Sequence, residues 1–271
     1  MDIFLIIGVV AGLLSVVVGM IVKGANVAVL LNPAAAIIII VGTVAAVMNS
    51  YPKKEFLKIP SVLRVLFSDK GKDHPCDIIK KLVELAQTAR REGLLALEDL
   101  TENMESEFMK KGIGMVVDGN EQDYIREVLD IEIESMEDRH RLGAAIFTTA
   151  GGAAPTLGVL GAVIGLIGAL GNLNDIEKLG HMIAAAFVAT LYGIFFGYVI
   201  CHPFATRLKR KSHEEITSMN IMLEGILAIQ VGENPKSIET KLVGMLEPSD
   251  RLAYRDDKSK AKEKEKEVSY A

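Results

Sequence analysis

Hydrophobic and polar positions along the chain are sorted into blocks. Residues 3–50 and 142–200 carry almost no charge, whereas 51–141 and 203–271 are dense in it. A helix that crosses the hydrocarbon core needs about 20 apolar residues. Four stretches reach that length, at roughly 2–22, 31–49, 146–170 and 180–202. In the first, Gly8, Gly12, Ser15 and Gly19 fall on one helical face, and the third repeats the device with Gly158, Gly161, Gly165 and Gly168. Lipid tails are as apolar as leucine, so spans associate through small residues that let backbones approach. Both stretches therefore predict tight packing within a bundle. The second, "AAAIIIIVGTVAAV" (34–47), is rich in β-branched residues and predicts a more lipid-facing helix.

The polar blocks also read as helices. "CDIIKKLVELAQTARR" (76–91) has an amphipathic period and stops at Gly93. A second helix is expected over about 95–111, ending at "KKGIG". A third begins near "GNEQDY" (119–124) and runs unbroken into the third span. The fourth span is expected to continue past Pro203 to about 231, and Pro235 to open a short helix. The tail 255–271 alternates in charge with few apolar residues, which predicts disorder or a frayed polar helix. No stretch of useful length alternates as a strand would.

The predicted fold is an all-α integral membrane protein. Four transmembrane helices carry a helical cytoplasmic domain between spans two and three, and long helices continue from spans three and four into the cytoplasm. The expected organisation is spans one and two (1–50), cytoplasmic helices (51–145), spans three and four (146–202), C-terminal helices (203–254) and tail (255–271).

Charge orients this arrangement. "YPKKEFLK" (51–58) follows span two and "RLKRK" (207–211) follows span four, while the connections after spans one and three carry only Lys23 and Lys178. Lys and Arg accumulate on the cytoplasmic side, so both long polar segments and both termini are expected there. The first stretch has no basic leader and no small-residue cleavage site, and reads as a retained span.

Composition narrows the chemistry. Half of the 271 residues are hydrophobic, 24% are charged and the net charge is −5, with no basic stripe for nucleic acid. Cys76 and Cys201 lie in different regions, which argues against a disulfide, and "HPC" (74–76) and "CH" (201–202) lack the pairing of a metal motif. No phosphate-binding loop, dinucleotide fingerprint or Ser–His–Asp or Cys–His constellation is present.

Polar atoms deep in a span are functional candidates by default. Here they are Thr43, Thr148, Thr149, Thr156, Thr190 and Tyr192. Most threonines in spans simply bond back to the carbonyl of residue i−4. Thr156 stands out because it follows Pro155, which frees the carbonyl of residue 151 from its helical bond, beside Gly151 and Gly152. Thr190 stands out by its depth in span four. A kinked helix with a freed carbonyl and a hydroxyl can line a wet pathway, so Thr190, Thr156 and Pro155 are the ion-pathway candidates. A proton or sodium relay normally needs an ionisable group, and none lies at depth; Asp2, Asp175 and Glu177 sit at the ends. The titrating carboxylate must come from another chain.

These residues resemble the MotA/PomA family of flagellar motor stator proteins, within the MotA/TolQ/ExbB proton-channel group. The resemblance covers about 1–250 and is carried by "ARREGLLALED" (89–99), "PTLGVLGAVIGLIGAL" (155–170), "ATLYGIFFGYVICHPFA" (189–205) and "EGILAIQVGENP" (224–235). It implies a homopentamer around a dimer of MotB, whose membrane aspartate is the missing carboxylate, in the bacterial cytoplasmic membrane. It implies an ion-conducting motor subunit rather than an enzyme, with no cofactor beyond the translocated ion. Carried over, Pro155 and Thr190 belong to the ion pathway, Pro203 to the coupling of ion flow to torque, and Arg90 and Glu98 to contact with the rotor protein FliG. Protons are the expected ion. A sodium site built from Thr156, Thr190 and freed carbonyls is the alternative, as in PomA. A further alternative, an ExbB- or TolQ-type energiser of outer-membrane transport, predicts three spans.

Overall fold

The structure, a computed structural model, describes residues 3–68, 74–102 and 104–269, with the side chains of 102 and 260–269 left aside. Every element in the described residues is helical, and the chain divides into two compact units. Among the described residues, four helices are long and apolar enough to cross a membrane, within Ile3–Val22, Val27–Ser50, Gln122–Leu170 and Ile176–Gln230. Asp2, at the start of the first expected span, and residues 270 and 271 of the tail lie outside the described residues.

The first unit comprises 1–70 and 138–212. Its elements are α1 (Ile3–Val22), a 3-10 turn (Val27–Leu30), α2 (Pro33–Ser50), α3 (Lys53–Phe56), α4 (Ile59–Phe67), the end of α8 (Gln122–Leu170), α9 (Ile176–Ile194), a π-helical segment (Phe195–Cys201) and the start of α10 (His202–Gln230). Side-chain caps set the starts. Asn32 accepts from the Ala35 N–H at 3.1 Å with Pro33 at the first helical position, and Asp175 accepts from the Lys178 N–H at 3.0 Å.

As its composition led us to expect, α2 is largely exposed; it buries one stripe, Ala35, Ile39, Thr43 and Val47 at successive i+4 positions. The tight packing expected of α1 holds only at Gly12. A Cβ built there would lie 2.7 Å from Val199 Cγ1, whereas Gly8 and Gly19 have nothing within 4 Å and α1 buries no residue.

Residues 51–67 were expected to go with the cytoplasmic helices, but they group with the spans through α4. The pattern Ile59, Val62, Leu63, Leu66, Phe67 makes α4 amphipathic. Leu66 is fully buried among Ala144, Phe147, Phe204 and Leu208, and Phe204 meets the rings of Phe67 and Phe147 edge-on at 5.7 and 6.0 Å. The Lys211 ammonium donates to the carbonyls of Val65, Leu66 and Ser68 at 3.2, 3.0 and 2.8 Å. This satisfies the open C-terminal end of α4 with the charge its dipole favours.

The second unit comprises 71–137 and 213–271. It contains α5 (Pro75–Glu92), a 3-10 turn (Leu94–Leu97), α6 (Glu98–Glu102), α7 (Glu107–Val117), the beginning of α8, the end of α10, α11 (Pro235–Val243) and α12 (Pro248–Ser269). Its core is aliphatic, with Ile78, Ile79, Leu82, Ile113, Ile125, Leu129, Ile221, Ile226, Ile238 and Leu242 fully buried. Each such side chain contributes about 1.5–3 kcal/mol by leaving water.

The single helix expected over 95–111 is instead two, broken before Ser106, whose hydroxyl caps α7 at Met109 N–H (3.3 Å). The glycines of "KKGIG" do not stop it. Gly112 lies inside α7, where the missing side chain makes room for Ile226: a Cβ there would sit 2.5 Å from Ile226 Cδ1. Gly93 and Gly232, with φ of +90° and +72°, do end α5 and α10. The tail expected from 255 lies within α12, anchored by Tyr254, whose hydroxyl donates to Glu239 Oε1 at 3.0 Å, and by the Lys258–Glu239 ion pair.

Candidate functional site: the contact between the third and fourth spans

Helices α8 and α9 meet along a seam of small residues. A Cβ built on Gly193 would lie 2.6 Å from the Ala154 carbonyl oxygen and 2.8 Å from Gly158 Cα. One on Gly158 would lie 3.0 Å from the Ala189 oxygen, and one on Gly165 2.8 Å from Ala186 Cβ. The partners at Gly193 and Gly158 are backbone, so any side chain there must push whole helices apart. The glycine face of the third span thus serves α9 within the chain.

Pro155 sits inside α8, which continues through it unbroken. The carbonyl it frees, that of Gly151, is covered by the neighbouring helix: a Cβ on Gly197 would be 2.7 Å from the Gly151 oxygen and 2.9 Å from the proline ring. Gly197 belongs to the π segment, in which the His202 N–H reaches back five residues to the Gly197 carbonyl. Pro203 follows at the second position of α10. In an α-helix its ring would strike the carbonyl of residue 199, and a wide turn immediately before it relieves that clash. Turns of this type recur at functional sites. The His202 ring stacks on Tyr198 at 5.2 Å and borders Gly151.

The hydroxyls have separate fates. Thr148 and Thr156 bond back to the carbonyls of Ala144 and Gly152 at 3.2 and 3.4 Å, the ordinary behaviour of threonine in a helix. Thr156 is on an exposed face. Thr149 pairs with the Tyr51 hydroxyl at 2.8 Å, and the Tyr192 hydroxyl donates to the Leu30 carbonyl. Thr43 is buried, and its hydroxyl has no partner among the described residues. Thr190 is half-buried on the seam, its Cα 3.3 Å from a Cβ built on Gly158, and its hydroxyl makes no hydrogen bond among the described residues. Pro155 and Thr190 therefore share the seam, while Thr156 points away from it. Over 3–22, 33–50, 142–170 and 182–201 the chain has no Asp, Glu, Lys, Arg or His.

Arg90 and Glu98 lie in the second unit. Arg90 is exposed in the last turn of α5 and Glu98 is exposed in the first turn of α6. Each charge suits the helix end it occupies, and neither forms an ion pair among the described residues. Leu95, 73% exposed, lies between them in the chain. Elsewhere in this unit Glu224 accepts from Arg126 at 3.0 Å and pairs with Lys241 at 2.6 Å. Burial pushes its carboxyl up, but the bonds from Lys241 and Arg126 outweigh this and hold it below the ordinary range. His74 and Cys76, considered as metal ligands, have structural roles: the His74 ring caps the Cys76 N–H at 3.4 Å, and the Cys76 thiol donates to the Asp250 carbonyl at 3.7 Å.

Sequence reasoning missed the π segment, α4, and the role of Gly193 and Gly197. The signal for α4 was available in "IPSVLRVLF", with its proline at the start and apolar residues every third or fourth position.

Known proteins place this architecture. The MotA/TolQ/ExbB proton channel family matches residues 100–221, and the family described as Motility protein A N-terminal matches residues 6–93. Motility protein A of Bacillus subtilis (strain 168) is 50% identical over 256 residues, covering 94% of this chain and 95% of that one. The structure of the flagellar MotAB stator complex from Bacillus subtilis superposes with a TM-score of 0.86, at 50% identity, over 92% of this chain and 98% of that one. That of C. jejuni MotAB gives 0.87, at 34% identity, over 92% and 97%.

Proposed function

Since the chain belongs to the MotA/TolQ/ExbB proton channel family, and within it is a membrane-embedded stator subunit of the flagellar motor, we propose that it conducts protons together with a MotB dimer. In this reading a homopentamer of the chain surrounds that dimer in the bacterial cytoplasmic membrane. Both long polar segments face the cytoplasm, and the rotor protein FliG is met by the surface bearing Arg90 and Glu98. The observation that carries the reading is the chemistry of the spans: a half-buried hydroxyl at Thr190 on the same seam as Pro155, and no carboxylate at depth. The partner's aspartate supplies the group that gains and loses the proton, and Thr190 sits where a hydroxyl can orient it or hold a water against it. Exposed charges such as Arg90 and Glu98 steer and orient a docking partner more than they tighten it.

The energy is adequate. One elementary charge crossing 100 mV releases about 2.3 kcal/mol, enough to bias a rotation step between nearly equivalent packings. The seam of α8 and α9 is too close-packed to slide, so motion falls to contacts between subunits and with the partner.

The sodium-driven alternative rests on Thr156 directly after Pro155. Thr156 lies on an exposed face away from the seam that holds Thr190, and the freed Gly151 carbonyl is covered by Gly197, so the chain does not bring the three oxygens together, which supports protons. Reconstitution in liposomes tests the proposal. Potential-driven proton flux is expected only when both chains are present, and selective flux through this chain alone would overturn the shared channel. Swimming speed at fixed membrane potential should not respond to external sodium; a proportional response would assign the sodium cycle instead.

A further inference from the structure

The first unit contains a cavity of about 440 Å³ that the ion pathway does not use. Its walls come from α2 (Ile40, Val44, Val47), from α3 and α4 with the turn between them (Phe56, Leu57, Pro60, Leu63), from α8 (Ile146, Phe147, Ala150) and from the π segment (Phe196, Cys201). The size falls in the range of ligand sites, about 300–1,000 Å³. Apart from Thr43, whose hydroxyl is sealed from the surface, every lining residue is carbon- or sulfur-faced. Ile40 and Val44 are half-exposed on the outer face of a membrane-spanning helix, so the cavity borders the bilayer.

Its lower wall is interleaved with charge. Lys53, Lys54 and Lys58 alternate in sequence with the lining residues Phe56, Leu57 and Pro60, and all three are exposed. None forms an ion pair among the described residues, and the one acid in the segment, Glu55, does not neutralise them by contact. An apolar cavity offers a lipid tail no transfer gain over the bilayer, so the cavity sets shape and the lysines set selectivity. Basic residues beside a membrane attract anionic headgroups.

We infer that this cavity is a binding site for one anionic glycerophospholipid. An acyl chain lies between α2, α4 and the π segment, and the phosphate lies at Lys53, Lys54 and Lys58. A chain seated against Phe196 and Cys201 touches the wide turn before Pro203, so the lipid contacts the element that leads out of the fourth span.

The test uses the complete stator complex in nanodiscs containing phosphatidylglycerol with a diazirine on its acyl chain, and phosphatidylcholine carrying the same group in a parallel arm. Photolabelled positions are mapped by mass spectrometry. Adducts from phosphatidylglycerol are expected to concentrate within 40–47 and 56–63. At about fivefold per lysine, Lys53→Ala, Lys54→Ala, Lys58→Ala together should lower the yield by about a hundredfold. The matching Lys→Arg variant should keep it, which separates charge from misfolding. Val44→Phe, which fills the mouth, should reduce labelling by both lipids. Equal labelling along exposed α1, or a yield unchanged in the alanine variant, would reduce the site to bulk lipid and overturn the inference. Labelling of dissociated chains but not of the complex would assign the cavity to a neighbouring copy, and would overturn it equally. Labelling does not depend on which leaflet the lysines face, so its failure leaves the proposed orientation standing.

Discussion

Adding one methyl group at Gly193 is a sharp test of the seam between the third and fourth spans. The built Cβ lies 2.6 Å from the Ala154 carbonyl oxygen and 2.8 Å from Gly158 Cα. Carbon–oxygen contacts normally settle at about 3.3–3.6 Å and carbon–carbon contacts at about 3.5–4.0 Å. Helices α8 and α9 must therefore part by roughly 0.7 Å or more, and because both obstacles are backbone no rotamer change can absorb the overlap. Overpacking costs about 1–3 kcal/mol, with the upper end appropriate here. Alanine's better helix propensity returns about 1 kcal/mol, leaving a net loss of about 1–2 kcal/mol.

Gly8→Ala and Gly19→Ala supply the control. Both sites have nothing within 4 Å, so they gain the propensity without the overlap. Gly42→Ala is intermediate, since its nearest neighbour is the Leu157 side chain at 3.1 Å, which can move. Detergent-denaturation curves on the purified protein, read by loss of helix signal, should rank the variants Gly193, then Gly42, then Gly8 and Gly19, from least to most stable. Soft-agar motility in a stator-null host should follow that order. A Gly193→Ala protein as stable as Gly8→Ala would refute the close-packed seam.

Three further outcomes are expected. Thr190→Ala or Pro155→Leu should assemble normally yet lose torque in tethered-cell rotation, and full-speed rotation with both changes would remove them from the ion pathway. Arg90→Glu or Glu98→Lys should leave proton flux in liposomes intact while reducing swimming, whereas unchanged swimming would leave these charges as solvated helix ends. Glu224 is held below its ordinary value of 4.5, so its stabilisation is present above that value and is lost as pH falls through the lower, folded-state value. Glu224→Gln should cost about 1–2 kcal/mol at neutral pH and flatten the acid limb of a thermal-unfolding series; an unaltered acid limb would show that the cluster contributes nothing.

The features legible in the sequence are those with a long period or a hard stop. Uncharged runs marked the four spans, Gly93 and Gly232 ended helices through positive φ, and Pro235 opened α11 with Asn234 as its cap. What failed was any inference that depends on a neighbour distant in the chain. Gly112 looks like a breaker until Ile226 is seen against it, and Gly193 carries no local sign that Ala154 lies opposite. The glycine face of α1 matches the seam in spacing, yet only Gly12 on it meets a neighbour, Val199, and Gly8 and Gly19 have nothing within 4 Å. Spacing reports that a close approach is possible, and only the fold says with what. Within the candidate site, the absence of a deep carboxylate and the positions of Pro155 and Thr190 were readable. The wide turn was not, because no residue type prefers it; it lies where Gly197 packs against the ring of Pro155 and leads directly into Pro203.

That wide turn has a consequence for register. A π segment holds one residue more than the α-helix it interrupts, and one residue corresponds to about 100° of helical rotation. The side chains of 203–212 therefore point about 100° away from where an unbroken α-helix would have aimed them. The faces that Phe204 and Leu208 turn toward Leu66 and Phe147 are set by that single extra residue.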